Sequence, residues 1–301
     1  MTSAKSNFST IRMAIATCSN LPDWEIDDQP FYQALREYGF DISLEIWDDP
    51  NVRWSNFDVC LIRTTWDYSV KYEKFIEWIT FVSTQTTLIN PKELILWNVQ
   101  KTYLFELESK GVPTVPSVLL ELNDDILEKL WNSSFSDSPK LFCKPIIGAS
   151  SLHTIRFERQ DYGLLLHHFY EVSQSMILQP YISSVEEQGE FSLIYFGSVF
   201  SHAVQKIPVP GDYKVQDDYG ATDKVFVDIP QILFDISETI IKQLPQKSSY
   251  LRIDFLHMQG LYGRDWVVNE VECIEPSLFF RHQQDAPQHF AKLLRHEIDT
   301  P

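Results

Sequence analysis

The sequence is short of positive charge, of clustered cysteine and of long apolar runs. Lysine and arginine number 25 against 42 acids, leaving a formal charge of −17 and a pI near 4.8. That balance opposes non-specific binding to nucleic acid, whose affinity comes from neutralising phosphates with basic side chains, so any polyphosphate site has to be a local cationic pocket. The cysteines, Cys18, Cys60, Cys143 and Cys273, stand far apart in apolar stretches, which argues against a zinc cluster or disulfide framework and reads as buried reduced thiols. No apolar stretch approaches the roughly 20 residues that span a bilayer. The polar start, residues 1–6, leads into a strand rather than a signal-peptide core, and a cytoplasmic protein with no membrane partner is expected. Internal repeats and low-complexity tracts are absent. No Gly-Lys-Ser or Gly-Lys-Thr occurs, and no Gly-x-Gly-x-x-Gly follows the first strand, which disfavours a P-loop and a dinucleotide-dependent dehydrogenase.

What is present can build a sizeable core: 44% of the 301 residues are hydrophobic, enough for two or three lobes. Residues 11–17 read as a buried strand, a helix through 31–38 ends at Gly39, and a strand at 41–47 completes a βαβ pattern. A strand at 57–63, an amphipathic helix over 71–83 and a closing segment at 87–91 extend it, implying a parallel sheet covered on both faces. A second unit begins near Leu94 with a helix over 98–110, stopped by Gly111-Val112-Pro113. It carries strands at 114–119, 140–146, 154–157 and 176–181 and a helix at 161–173. Residues 132–139 read as a mobile surface connection. The last unit has strands at 191–196 and 198–206, a helix around 229–243, two acid-bearing strands and a terminal helix at 287–297. The expected units are 1–93, 94–182 and 183–301.

The acid-bearing strands are Leu251-Arg252-Ile253-Asp254-Phe255 and Trp266-Val267-Val268-Asn269-Glu270-Val271-Glu272-Cys273-Ile274-Glu275-Pro276. Alternation puts Glu270 and Glu272 on one strand face, and an antiparallel partner can bring Asp254 and Arg252 to that face. Carboxylates so gathered suit Mg²⁺, which takes few protein ligands beside phosphate oxygens and water. An exposed face decorated with acids is the alternative, but acids interrupting an apolar region are costly without a counter-charge.

Lys144 closes the apolar strand Phe142-Cys143-Lys144-Pro145 and needs an anionic partner or an exposed head. Lys101 follows Trp97-Asn98-Val99-Gln100 on a helix. Gly148-Ala149-Ser150-Ser151 is suited to presenting N–H groups to phosphate, and equally to an ordinary turn. Leu178-Gln179-Pro180-Tyr181-Ile182, followed by Glu186-Glu187-Gln188-Gly189-Glu190, can meet a purine edge and ribose hydroxyls, or is a strand end with a solvated loop. Arg63-Thr64-Thr65-Trp66-Asp67-Tyr68 lies at the carboxyl end of a strand, where open α/β sheets gather ligands. It can clamp a carboxylate or be a capping loop fastened by Trp66. In Ser201-His202-Ala203-Val204-Gln205-Lys206, residues 202, 204 and 206 share a face, and a lone histidine there also reads as structural.

In this order the pieces resemble the ATP-grasp superfamily over nearly the whole chain, most tellingly from Arg252 to Glu272. A narrower likeness, to the cycloserine synthetase branch, is carried by Trp47-Asp48-Asp49-Pro50, the Arg63 to Tyr68 string, Trp97-Asn98 with Lys101, the Ser201 to Lys206 string and Glu270-Val271-Glu272-Cys273-Ile274-Glu275-Pro276. The resemblance implies an α/β protein with an N-terminal open parallel-sheet lobe and two α+β lobes clasping ATP.

By position it implies Lys101 and Lys144 on the ATP phosphates, with Gly148, Ser150 and Ser151 covering them, and Gln179, Tyr181 and Ile182 at the adenine. Glu190, or Glu187 beside it, would take the ribose, Arg252 the migrating phosphoryl group, and Asp254, Glu270 and Glu272 two Mg²⁺ ions. Arg63, Thr65, Trp66 and Asp67 would surround a small carboxylate substrate, with Lys206 and His202 toward the reacting groups. The implied activity is carboxylate–amine ligation through an acyl phosphate, captured by an amine or aminooxy nucleophile, including one in the same molecule. Homodimers are common in the superfamily. One departure stands out: many relatives have asparagine at the Glu272 position and a glycine-containing turn after it, where this chain has Cys273-Ile274-Glu275-Pro276-Ser277. A regulatory protein that binds ATP without turnover is the alternative function.

Overall fold

The computed structural model describes residues 9–21 and 26–300; the polar start and residues 22–25 lie outside it. The first lobe comprises β1 (Ile11–Thr17), α1 (Gln29–Glu37), β2 (Phe40–Ile46), β3 (Val59–Thr64), α2 (Tyr72–Val82) and β4 (Thr87–Ile89). Its strands pair in parallel in the order β2-β1-β3-β4. Residues 13–16 of β1 are all fully buried, as a strand covered on both faces requires. Phe31 and Leu35 of α1 lie on one side and Phe75, Trp78 and Ile79 of α2 on the other.

Next come α3 (Lys92–Asn98), α4 (Tyr103–Ser109), β5 (Val118–Leu120), α5 (Ile126–Trp131), β6 (Lys140–Pro145), β7 (Ile155–Glu158), α6 (Tyr162–Val172) and β8 (Met176–Pro180). The strands form an antiparallel sheet in the order β5-β8-β6-β7. The remainder is α7 (Ser184–Gln188), β9 (Glu190–Phe196), β10 (Val199–Ile207), β11 (Thr222–Val225), α8 (Gln231–Gln243), β12 (Tyr250–His257), β13 (Trp266–Glu272) and α9 (Ala286–Asp299). Its sheet is antiparallel, ordered β11-β10-β9-β12-β13. The mixed architecture, one parallel and two antiparallel sheets, is the one expected. No helix among the described residues is long and apolar enough to cross a membrane.

Packing does not follow chain order. Leu104 and Leu107 of α4 join Leu193, Leu251 and Val268 of the last sheet rather than the β5–β8 sheet. Phe290 and Leu294 of α9 pack with Phe31 and Leu35 of α1. The helix expected over 98–110 is two helices. Between them the Lys101 backbone N–H leaves the helical ladder and donates to the Ile146 carbonyl at 2.8 Å, while the Asn98 side chain bridges the Val271 carbonyl and the Cys273 N–H at 2.7 Å each. Tertiary hydrogen bonds thus outcompete one turn of helix. Residues 132–139 are also more tied down than expected: Phe135 is buried in the small sheet's core, and the Ser138 hydroxyl bonds that of Tyr262.

Candidate active site

The register of β12 and β13 sets the site floor. Arg252 stands opposite Glu272 and Asp254 opposite Glu270, and the pairing then slips to Phe255 opposite Val268. Asn269 is therefore the extra residue of a β-bulge, a device that re-aims side chains at strand ends. On the other flank Asp254 faces Ser192 of β9, and Lys206 of β10 faces Glu190. Acids and bases from four strands consequently share one floor.

Each acid there has a basic partner. Arg252 donates to both Asp254 oxygens at 2.9 Å and also to Glu272. Lys206 pairs with Glu190 and lies 3.4 Å from Asp254. Lys144, buried as a strand residue must be, donates to Glu270 at 3.0 Å and to the backbone and side-chain oxygens of Asn269 at 3.2 Å. Lys101 lies 3.8 Å from Glu270 and donates to the Gly148 carbonyl at 2.6 Å. Asn269 closes the set by donating to Glu190 at 2.5 Å.

Charge balance decides the protonation of these groups. Burial raises the pKa of Asp254, but Arg252 and Lys206 outweigh it and hold the carboxyl well below its usual range. Glu270 is lowered in the same way, Lys101 and Lys144 overcoming burial. Burial wins at Glu190 despite Lys206, and at Glu272, pushed up to about 7 with repulsion from Asp254 and Glu270 adding to it and Arg252 opposing. No three Asp, Glu, His or Cys side chains among the described residues form a ready-made metal cage. The donor set fits magnesium all the same: hard carboxylate oxygens stand beside lysines and an arginine that can hold phosphates, and Mg²⁺ completes its shell with phosphate oxygens and water.

The floor lies in a cleft lined by the two antiparallel sheets and, from the first lobe, by Trp66 and Tyr68 after β3. Lys101, Lys144, Gly148, Ser150, Ser151, Gln179, Tyr181, Ile182, Glu190, Lys206, Arg252, Asp254, Glu270, Glu272 and Trp66 all line it. At one end Val115, Phe142, Val185 and Leu256 join Tyr181 and Ile182 as apolar walls, and Gln179 is held by its hydrogen bond to Ser117 at 2.9 Å. Ser150 and Ser151 have φ of 51° and 54°, so the loop after Lys144 is tightly coiled. Ser151 and Tyr219 tie it to the 216–219 turn through Gln216 and the Ser150 carbonyl.

Other sequence candidates stand elsewhere. Arg63 is 1% exposed and does not reach the cleft: both Asp28 oxygens take it at 2.9 Å and the Pro276 carbonyl at 3.1 Å. Thr65 is fully buried with no partner for its hydroxyl, and Asp67 accepts from the Trp47 indole at 2.7 Å and pairs with Lys71 at 2.6 Å. Only Trp66 of this string, with the following Tyr68, lines the cleft, its indole donating to the Glu275 carbonyl at 3.1 Å. Glu187 is exposed on α7 and does not line the cleft. His202 shares the Lys206 face, but four residues of strand separate them by about 13 Å. Its ring bonds the Leu278 carbonyl and Ser201 at 2.9 Å, and burial pushes its pKa down to about 4. Asn269 and Glu275, given no role from the sequence, also line the cleft; the bulge at Asn269 follows from register, which a strand pattern alone does not reveal.

Comparison with known proteins bears on this geometry. The family model for the D-cycloserine synthetase DcsG N-terminal domain matches residues 13–90. The cycloserine biosynthesis protein DcsG of Streptomyces lavendulae is 27% identical over 288 residues, covering 91% of this chain and 94% of that protein. The crystal structure of D-cycloserine synthetase DcsG superposes with a TM-score of 0.84 at 25% identity, over 95% of this chain and 99% of that one. The chain has the ATP-grasp fold. The ATP-grasp fold extends to the D-alanine–D-alanine ligase of Bacillus anthracis, with a TM-score of 0.68, 17% identity and 97% of each chain covered. Proteins of this ATP-grasp fold have been captured with ATP, and with magnesium and ADP.

Proposed function

We propose that this ATP-dependent ligase phosphorylates the carboxylate of a small amino-acid-like substrate, and that an amine or aminooxy nitrogen, including one on the same molecule, displaces phosphate from the acyl phosphate. The observation that carries this reading is the single cleft in which Asp254, Glu270, Glu272 and Arg252 face Lys101 and Lys144, with an apolar slot at one end. Phosphoryl transfer asks a protein chiefly for alignment and charge neutralisation. In this reading Lys101 and Lys144 hold the phosphates beneath the Gly148–Ser151 loop, Gln179, Tyr181 and Ile182 hold the adenine, and Glu190 the ribose. Arg252, fixed by Asp254 and Glu272, meets the migrating phosphoryl group. Magnesium, two ions held by Asp254, Glu270 and Glu272, supplies further neutralisation of phosphate charge.

The similarity to proteins named for cycloserine biosynthesis supports an amino-acid substrate and a ring-closing step. No protein nucleophile is needed, and the cysteines are buried, with burial pushing the thiols of Cys60, Cys143 and Cys273 well up. The test is a coupled ADP-release screen over amino acids and aminooxy amino acids with mass analysis of products. Substrate-dependent ADP release with loss of water from the substrate mass is the expected result. ATP binding without ADP release across the panel would refute the ligation proposed.

A further inference from the structure

On the floor and the turn that follows it, every acid facing the cleft but one has a basic partner within 4 Å: Glu190 has Lys206, Asp254 has Arg252, Glu270 has Lys144, and Glu272 has Arg252. The exception is Glu275. Its side chain lines the cleft, and no ion pair or side-chain donor meets its carboxylate among the described residues. Tyr68 is buried and lines the cleft, no side-chain hydrogen bond of its hydroxyl is made among the described residues, and Glu275 is foremost among the acids whose field acts on it. Trp66, clamped to the Glu275 carbonyl, stands beside both. Glu275 and Tyr68 thus line the same cleft, with Trp66, which is fastened to Glu275, between Thr65 and Asp67 in the string that carries Tyr68.

Glu275 is half-buried, and a partly desolvated carboxylate without a counter-charge costs free energy that a cationic ligand would offset. Its surroundings support this: burial and repulsion from Glu272 push the Glu275 carboxyl up to about 8, with Lys101 and Arg252 opposing. The arrangement calls for a small cation that carries hydrogen-bond donors and arrives with the substrate.

Resting on the proposed ligase reading, we infer that Glu275 and Tyr68 form the subsite for the substrate's ammonium group, Glu275 as its charge partner and Tyr68 as a hydrogen-bond partner. This moves substrate recognition from Arg63, Thr65 and Asp67 to Trp66, Tyr68 and the turn after Glu272. The subsite selects zwitterionic amino acids over plain carboxylic acids.

The test compares β-aminooxyalanine with 3-(aminooxy)propionate, which keeps carboxylate and aminooxy group but lacks the ammonium. Binding is measured by calorimetry to the protein loaded with magnesium and a non-hydrolysable ATP analogue, and ADP release is followed with ATP. A hydrogen bond to a charged group corresponds to about 10- to 100-fold in affinity, so the wild type should favour the ammonium-bearing compound by that factor. Glu275→Gln should reduce the preference to about threefold or less, with analogue affinity, melting temperature and magnesium requirement unchanged. Tyr68→Phe should weaken binding of the ammonium-bearing compound by a smaller factor. Equal or absent binding of both compounds by the wild type overturns the assignment, as does undiminished preference in Glu275→Gln. Lost magnesium or nucleotide binding in that variant also overturns it, making Glu275 part of the phosphate end. Preference without ADP release leaves the subsite standing and sinks the ligase reading.

Discussion

Glu270 takes both lysines of the small-lobe side, and its replacement by glutamine keeps the shape while removing the charge that Lys144 and Lys101 share. ADP release by Glu270→Gln should fall at least about 100-fold, the scale of losing one electrostatic contributor to a transition state, with the circular dichroism spectrum unchanged. His202 makes a prediction of the opposite kind. Its folded pKa, about 4, lies below the ordinary 6.5 because burial disfavours the imidazolium. Its contribution to stability is therefore complete above pH 6.5 and is lost as pH falls toward 4. Between pH 7 and pH 5 the loss is about 2 kcal/mol, and urea titrations of wild type and His202→Gln should show a flatter pH dependence in the variant. At this scale the strand candidates Lys144, Lys206, Arg252, Asp254, Glu270 and Glu272 line the cleft, whereas Arg63, Thr65, Asp67, Glu187 and His202 do not. An arginine at a strand's carboxyl end looks the same whether its carboxylate belongs to a ligand or, as with Asp28, to the chain 35 positions away. A histidine on the right strand face still misses the cleft when the strand carries it past the edge.

Among elements, the acid-bearing hairpin was legible because alternation alone dictates which of its side chains share a face, and the register pairs them as that alternation requires. The break between α3 and α4 was not, since its cause is a contact with the Ile146 carbonyl across the fold. Short pieces such as β11 and α7 carry too few residues for a period to emerge. The Arg63–Asp28 pair is the element-scale tether of the first lobe, joining the end of β3 to the segment before α1 and to the turn after β13. Removing one partner of a buried pair leaves an unmatched charge, so Arg63→Ala should cost about 3–5 kcal/mol. Arg63→Met with Asp28→Leu should recover much of it. Chemical denaturation of the three proteins measures both, and an Arg63→Ala variant of normal stability would show that the residue acts elsewhere.

Across the molecule, a chain of charge −17 brings Lys101, Lys144, Lys206 and Arg252 into one cleft, each paired with an acid, so in the proposed function magnesium would have to accompany the nucleotide and offset those acids. A magnesium–nucleotide analogue at 100 times its Kd should raise the folding free energy by about 2.7 kcal/mol, read as a thermal shift. Lys144→Met should abolish most of that shift, and a chelator should stop ADP release by the wild type; an undiminished shift in the variant would remove Lys144 from the phosphate site. The lobe order could be read from the sequence because the alternation of strands and helices changes character along it. Which helices cover which sheet could not, since α4 and α9 pack against sheets distant in the chain.

The first lobe grips the turn after β13 twice, through Arg63 on the Pro276 carbonyl and Trp66 on the Glu275 carbonyl. For anyone exchanging parts between ligases, that makes the natural unit of transplantation discontinuous. A donor lobe moved without residues 274–277 would arrive with its hooks and no eyelets, whereas the two segments moved together would carry their own joint into the host.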